Sequence, residues 1–321
     1  MAADGRQGRT AGYAEPDQCS GIPVSEVERT YMIEGILICG AAAVILCLLV
    51  SAWDCNRFVN VEYEITSDKV KKPCRLVLLS DLHNKSFGKD NRRLIDEIDR
   101  ISPDAILVAG DMLTAAKGHP FDKALSLMKC LASKYKVYYG MGNHEYRIGL
   151  YPEQYGSMYD DYMAGLSGCG IRPLINENLY LPEYNVAVCG SQIDRRYYRR
   201  VQKNCMKKSY LTQLLGEPRE DACQILIAHT PQYFEAYAAW GADVVMSGHV
   251  HGGIMRLPVL GGVLSPNLTL FPKYDGGRFA CGKSTMILSR GLGTHTIPVR
   301  VFNPGELVTV NILPSQGRNR A

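Results

Sequence analysis

Apolar and polar positions divide the chain into three regimes. Residues 1–34 are polar, with Gly, Ser and Pro interspersed and no period of two or 3.6, which predicts a disordered tail. Gly35 to Trp53 (GILICGAAAVILCLLVSAW) holds no charged residue. A helix of about 19 residues, rising 1.5 Å at each, spans roughly the 30 Å hydrocarbon core of a bilayer, so this run predicts a transmembrane helix. Residues 54–73 read as a linker and first strand, 74–314 as one large domain and 315–321 as a tail. Within the large domain, short apolar runs alternate with helical patterns, which predicts an α/β fold. The runs are Leu76 to Leu79, Ala105 to Ala109, Lys136 to Tyr139, Val186 to Cys189, Ile225 to Ala228 and Val244 to Met246. Between the first two, Asp90 reads as the N-cap of a helix carrying Leu94, Ile95 and Ile98 on one face.

A cleaved signal peptide or a buried core helix would share the N-terminal apolar run. Against the first, the preceding segment is long and rich in acid (Asp17, Glu26, Glu28, Glu34), although Val50-Ser51-Ala52 has the small residues of a cleavage site. The expectation is an uncleaved, single-pass membrane anchor. Arg29 precedes the helix, while Arg57, Lys69, Lys71 and Lys72 follow it. These few charges lean the large domain toward the cytoplasm and do not fix its side.

The chemistry lies where the apolar runs end. The first ends in Ser80-Asp81-Leu82-His83, the second in Gly110-Asp111, and the third in Gly142-Asn143-His144-Glu145. The fifth gives His229-Thr230, and the sixth Ser247-Gly248-His249-Val250-His251-Gly252-Gly253. Singly, each is weak: Asp-x-His after a strand is commonly a turn or cap, Asn143 after Gly142 is a good turn former, and a lone histidine is usually a satisfied core residue. Together they are not, because five of the 7 histidines occupy these strand-end positions. That edge is where open α/β sheets bind ligands, so the set predicts a metal site.

The ordered set Asp-x-His, Gly-Asp, Gly-Asn-His-Glu, His, Gly-His-x-His resembles the calcineurin-like metallophosphoesterase superfamily across most of residues 74–312. Ser289-Arg290-Gly291-Leu292-Gly293-Thr294 and Ile297-Pro298-Val299-Arg300 place the resemblance nearer its membrane-associated bacterial YaeI/YkuE-like branch, where a leading transmembrane segment is common. The resemblance implies a four-layer α/β/β/α sandwich. It implies that one metal takes Asp81, His83, Asp111 and His251, and that a second takes Asp111, Asn143, His229 and His249, with Asp111 shared. His144 would be the acid that assists the leaving group. Val250 and Ile254 stand where polar residues are often found, and Met112-Leu113-Thr114 lacks the acid usual after Gly-Asp. Both departures bear on substrate fit and on support of the ligands, and neither touches a proposed ligand.

The donor set is chemically coherent. A carboxylate bridges two cations naturally, imidazole, carboxylate and amide together suit Mn, Fe or Zn, and none of the ligands is Cys. A hydroxide bridging such a pair is nucleophilic near neutral pH. The expected activity is therefore hydrolysis of a phosphodiester or related phosphate ester at a membrane, with a lipid-linked pyrophosphate among the substrates the resemblance allows. A nuclease or cyclic-nucleotide phosphodiesterase is the alternative enzyme, and a membrane-tethered phosphate-binding protein the alternative of another class.

Composition changes little of this. With 46% hydrophobic residues the chain can bury a sizeable core, and a net charge of +4 is scattered, so no nucleic-acid partner is called for. Lipid and a phosphate ester are the expected partners, and the oligomeric state is left open. The 11 cysteines show no CxxC or finger spacing and read as buried thiols, which argues against a disulfide scaffold. A basic, aromatic stretch from Arg195 to Lys208 reads as solvated surface or as a face for anionic headgroups or a phosphate-rich substrate. His119 reads as surface, while Asn84 and His295 are candidates for lining a substrate pocket.

Overall fold

A computed structural model describes Met1 and residues 26–118, 120–198, 205–257, 261–263, 270–294 and 298–315. Its first elements are α1 (Glu26–Cys55), β1 (Phe58–Ser67), β2 (Cys74–Leu79), α2 (Arg92–Ile101), β3 (Ala105–Val108), α3 (Asp122–Ala132) and β4 (Lys136–Tyr139). There follow α4 (Asn143–Leu150), α5 (Pro152–Tyr155), α6 (Met158–Gly168), β5 (Glu177–Leu181), β6 (Val186–Ser191), α7 (Lys208–Leu215), β7 (Cys223–Ala228), α8 (Phe234–Trp240) and β8 (Val244–Ser247). The short hairpin β9 (Arg256–Leu257) and β10 (Gly261–Gly262) precedes β11 (Gly277–Cys281), β12 (Ser284–Leu288) and β13 (Gly305–Pro314).

All six apolar runs are strands, and for all but Lys136–Tyr139, which is exposed or half-buried up to Tyr138, burial explains why they read as unbroken hydrophobic segments. Every residue of β3, β6, β7 and β8 is buried, as parallel strands covered on both faces must be. One sheet runs β1-β13-β2-β3-β4 and the other β11-β12-β8-β7-β6-β5. Within them β2, β3 and β4 are parallel, as are β6, β7, β8 and β12.

Alternation along β2 sorts its side chains between two cores. Val77 and Leu79 join Leu94, Ile98, Leu127 and Leu131 of α2 and α3, whereas Leu76 and Leu78 meet Val188, Ile225, Ile227 and Met246 of the other sheet. A third core packs Leu226 and Val245 against Leu211, Phe234, Tyr237 and Trp240 of α7 and α8. These three cores separate four layers, α/β/β/α.

Leu94, Ile95 and Ile98 are buried as expected, but Asp90 does not cap their helix. It sits in a 3-10 turn with φ 52°, and α2 begins two residues on, after Asn91. The Asn91 side chain turns back to accept from the Phe87 amide instead. Ten cysteines are described and all are free, with Cys74, Cys189 and Cys223 buried in strands.

The chain forms two compact units, divided between Leu46 and Cys47, inside α1. In the first, the apolar side chains from Val27 to Leu46 are exposed. In the second, the end of α1 is different: Ser51 and Asp54 are buried. The span Val27–Cys55 is long and apolar enough to cross a membrane, a property it shares with signal sequences near an N-terminus.

Candidate metal centre

Parallel strands β2, β3 and β4 of one sheet and β7 and β8 of the other all present their carboxyl ends to one edge, and the loops leaving them interlock. The Asp81 amide donates to Gly110 O (3.0 Å), His83 to Asp111 O (3.1 Å), and Gly293 to Asp81 O (2.7 Å). To turn sharply, the backbone adopts positive φ at Asp81, His83, Asp111, His249 and His251. Each such residue costs about 1–2 kcal/mol, a strain found where a site demands it. Gly248 has to be glycine, because a Cβ there would run into Ser80 Oγ and Asp81 Oδ2.

The result is a buried knot of acids and imidazoles. Asp81, His83 and His251 form one group of converging ligand atoms; Asp111, His229 and His249 form another; His83, Asp111 and His144 form a third. His83 Nε2 is 3.3 Å from His251 Nε2, and His251 Nε2 is 3.5 Å from Asp81 Oδ1. His229 Nε2 is 3.0 Å from Asp111 Oδ2 and 3.1 Å from Asn143 Oδ1. The two carboxylates are held from behind: Asp81 accepts from the His249 amide and the Ser80 hydroxyl, and Asp111 Oδ1 from the His144 amide (2.8 Å).

The far side of each ring fixes which nitrogen faces inward. His229 Nδ1 donates to Ala109 O (2.6 Å) and His251 Nδ1 to Gly293 O (3.3 Å), while His83 Nδ1 is 3.2 Å from Thr114 Oγ1. In neutral rings held this way, Nε2 of His229 and of His251 turns a lone pair on carboxylate and amide oxygens that also offer lone pairs. Acceptors aimed at acceptors in a buried site need a proton or a cation between them, and nitrogen and oxygen donors of this kind suit divalent Mn, Fe or Zn. The residues therefore fit divalent metal.

Without a cation, a proton takes that place at His229. Burial lowers the His229 pKa, but Asp111 and Asp81 outweigh it and push it up to about 10. Burial and the charge on His229 push His249 down to about 3, and burial and Arg300 do the same to His251. Burial opposes ionisation of Asp111, yet His229 and His144 hold its carboxyl well below the usual range.

His144 faces the knot without joining the His229 pair. Its Nδ1 accepts from the Ala115 amide (2.8 Å), so the ring proton sits on Nε2, 3.9 Å from Asp111 Oδ2. Asn84, though next to His83, turns its side-chain oxygen to the Ala124 amide (3.0 Å), tying this loop to α3. His295 and His119 lie outside the described residues. In the basic stretch, Arg195 stacks on Tyr151, and Arg196 packs on Tyr197 and Tyr210. Tyr198 turns inward, 6.3 Å from the His249 ring. Lys207 and Lys208 are exposed, and Arg199, Arg200 and Lys203 lie outside the described residues.

Three residues to which the motifs assign no role support the knot. Glu145 is fully buried and accepts from the amides of Asp111 (2.9 Å), Met112 (2.8 Å) and Gly142 (3.2 Å) and from the Tyr139 hydroxyl (2.9 Å). Burial and the charge on Asp111 push its pKa up to about 7, and those four donors work against them. Arg300 is buried and pairs with no carboxylate among the described residues, its guanidinium donating to the carbonyls of Arg290, Gly291, Gly293 and Asn303. Asn303 Nδ2 donates to His251 O (2.8 Å) and Gly253 O (2.7 Å). Glu145 had a signal, since it follows the Gly-Asn-His triplet; nothing in the sequence around Arg300 announces a buried guanidinium.

A calcineurin-like phosphoesterase family profile matches residues 74–253. Among curated relatives, an uncharacterised metallophosphoesterase of Campylobacter jejuni is 27% identical over 79% of this chain and 62% of its own length. This chain thus covers less than two thirds of that relative. Escherichia coli phosphodiesterase YaeI is 24% identical over 69% of this chain and 76% of its own, and the Bacillus subtilis metallophosphoesterase YkuE 21% identical over 74% and 78%. With the acid and histidine clusters of a metal-dependent phosphoesterase at the strand ends that the profile covers, the chain belongs to the calcineurin-like phosphoesterase family.

Proposed function

We propose that this chain hydrolyses a phosphodiester or related phosphate ester at a pair of divalent cations, anchored at a membrane through α1. Asp81, His83, Asp111 and His251 would hold one cation and Asp111, Asn143, His229 and His249 the other, Asp111 being common to both. Bound there, the cations would supply a water ionised near neutral pH and offset the negative charge of the phosphoryl group. The observation that carries this reading is the convergence of acceptor atoms from five strand ends, with the far nitrogens of His229 and His251 already spent on carbonyls.

The chain's own groups then have distinct tasks. Asp81 and Asp111, locked by backbone amides, keep their carboxylates from turning away. His144 carries its proton on Nε2 because the Ala115 amide occupies Nδ1. Burial lowers its pKa, so a neutral ring offers that N–H to a phosphoryl or leaving-group oxygen. Where an acid is usual after Gly-Asp, the Thr114 hydroxyl contacts His83 and the neighbouring Ala115 amide orients His144.

The test is turnover. Purified chain, stripped and reloaded with manganese, should cleave an activated aryl phosphodiester, and Asp111→Asn should abolish that activity while leaving the fold intact by circular dichroism. Absence of turnover with every divalent metal tried would defeat the enzyme reading.

A further inference from the structure

Most large apolar side chains of the second unit are buried; the exceptions are Leu48, Leu49 and Trp53 on α1, the scattered Leu150 and Leu179, and Leu257, Leu270, Phe271 and Phe302, of which Phe271 is 58% and Phe302 56% exposed. Both phenylalanines also have positive φ, 45° and 53°. A soluble turn gives that backbone to Gly or Asn, because a bulky side chain is strained in it. Here strain and exposure coincide at aromatic residues.

Hydrogen bonds join these residues into one lip. The Phe271 amide donates to Val263 O (2.9 Å), Val263 to Met255 O (2.9 Å), and Arg256, beside Leu257, to Val301 O (3.0 Å). Val301 precedes Phe302. The lip is also fastened to the last turn of α1: the Arg300 amide donates to Ser51 Oγ (3.2 Å) and the Asn303 amide to Asp54 Oδ2 (2.9 Å), pinning the chain on both sides of Phe302. On the other side it is fastened to the metal loop through Asn303 and the carbonyls of His251 and Gly253.

What covers the lip follows from the helix to which it is pinned. The apolar run of α1 ends at Trp53, so in a chain that spans a bilayer the polar boundary falls at Asp54. Basic side chains gather there: Arg57 pairs with Asp54, and Lys85 and Arg93 donate to Asn56. An aromatic lip pinned to the last turn of α1, beside a basic collar, matches the headgroup zone of an anionic bilayer.

We infer that the lip formed by Leu257, Phe271 and Phe302 inserts into the bilayer that α1 spans, and that the metal centre acts on phosphate esters borne by membrane amphiphiles. This rests on the phosphoesterase reading above and on α1 being retained as an anchor. The test uses the full chain with Trp53→Phe and Phe302→Trp, in nanodiscs of phosphatidylcholine and phosphatidylglycerol brominated on the upper acyl chain. Trp240, 1% exposed, is the internal unquenched reference. Fluorescence of the new tryptophan should be quenched beyond that reference. Quenching no greater than the reference, or quenching lost when each disc holds one chain, would mean that a second copy or nothing covers the lip, and would overturn the inference.

A second arm uses Phe271→Ser with Phe302→Ser. Turnover of a soluble aryl diester should be unchanged, while turnover of a vesicle-embedded aryl phosphodiester lipid should fall by about tenfold or more. Equal loss on both substrates would also count against the inference. Extraction of the full chain by alkaline carbonate would remove the anchor and the lip together. Quenching needs no turnover, so a chain that is quenched yet inactive on both substrates sinks the phosphoesterase reading alone.

Discussion

His229 faces Asp111 Oδ2 at 3.0 Å with one nitrogen while the other donates to Ala109 O at 2.6 Å. In the metal-free protein this buried pair keeps a proton on His229, whose pKa Asp111 and Asp81 push up to about 10 against burial. Metal requires the neutral ring, so loading at pH 7–8 should release a proton from this residue. Titration calorimetry in buffers of different ionisation enthalpy should detect it, and His229→Gln should remove that component.

The same pair sets a pH dependence of the metal-free fold. A histidine whose pKa is raised on folding contributes stability that is complete below its ordinary value of 6.5 and is lost as pH rises through about 10. Denaturant midpoints of the chelated protein should therefore fall between pH 7 and pH 10. A midpoint that rises across that window would contradict the assignment.

Glu145→Gln replaces a carboxylate surrounded by four donors with an amide that must turn NH2 toward some of them. The expected loss is about 2–4 kcal/mol, since buried donors are left facing a donor. Weaker metal affinity should accompany it, because two of those donors are the amides of Asp111 and Met112. Metal titration followed by thermal melting measures both.

Arg300→Lys should not rescue Arg300→Met. A single ammonium cannot reach the four carbonyls that the guanidinium fork reaches, so the loop carrying Gly291 and Gly293 loosens in either variant. His251, bonded to Gly293 O, loses its orientation, and metal affinity should fall in both. Lysine restoring wild-type affinity would show that charge alone matters.

Chelation should lower thermal stability well beyond what a surface ion would. Asp81 and Asp111 are both buried, His249 and His251 are kept neutral by burial, and burial raises the Asp81 pKa, so without cations the proton on His229 is what offsets this pair of carboxylates. Differential scanning calorimetry with and without a chelator gives the shift.

The strands were legible because burial on both faces leaves an unbroken apolar run, as in β3 and β7. The motifs were legible because each ligand follows such a run directly. Asp90 misled because the left-handed turn at Asp90 and Asn91 delays α2 by a cap position, a backbone choice no side-chain pattern records. Arg300 and Asn303 act on residues as far as 52 positions away in sequence, through carbonyls alone, and carbonyls are the same in every residue. The hidden part of the site is therefore the part built from backbone.

Among the described residues, strand β1 pairs only with β13, which lies between it and β2. During synthesis, the segment leading out of α1 thus has no partner until residues 305–314 have left the ribosome, although every proposed ligand has emerged earlier. A stop codon shortly before Gly305 would leave all seven ligands on a chain whose first sheet is open between β1 and β2, exposing both strands to whatever edge comes first.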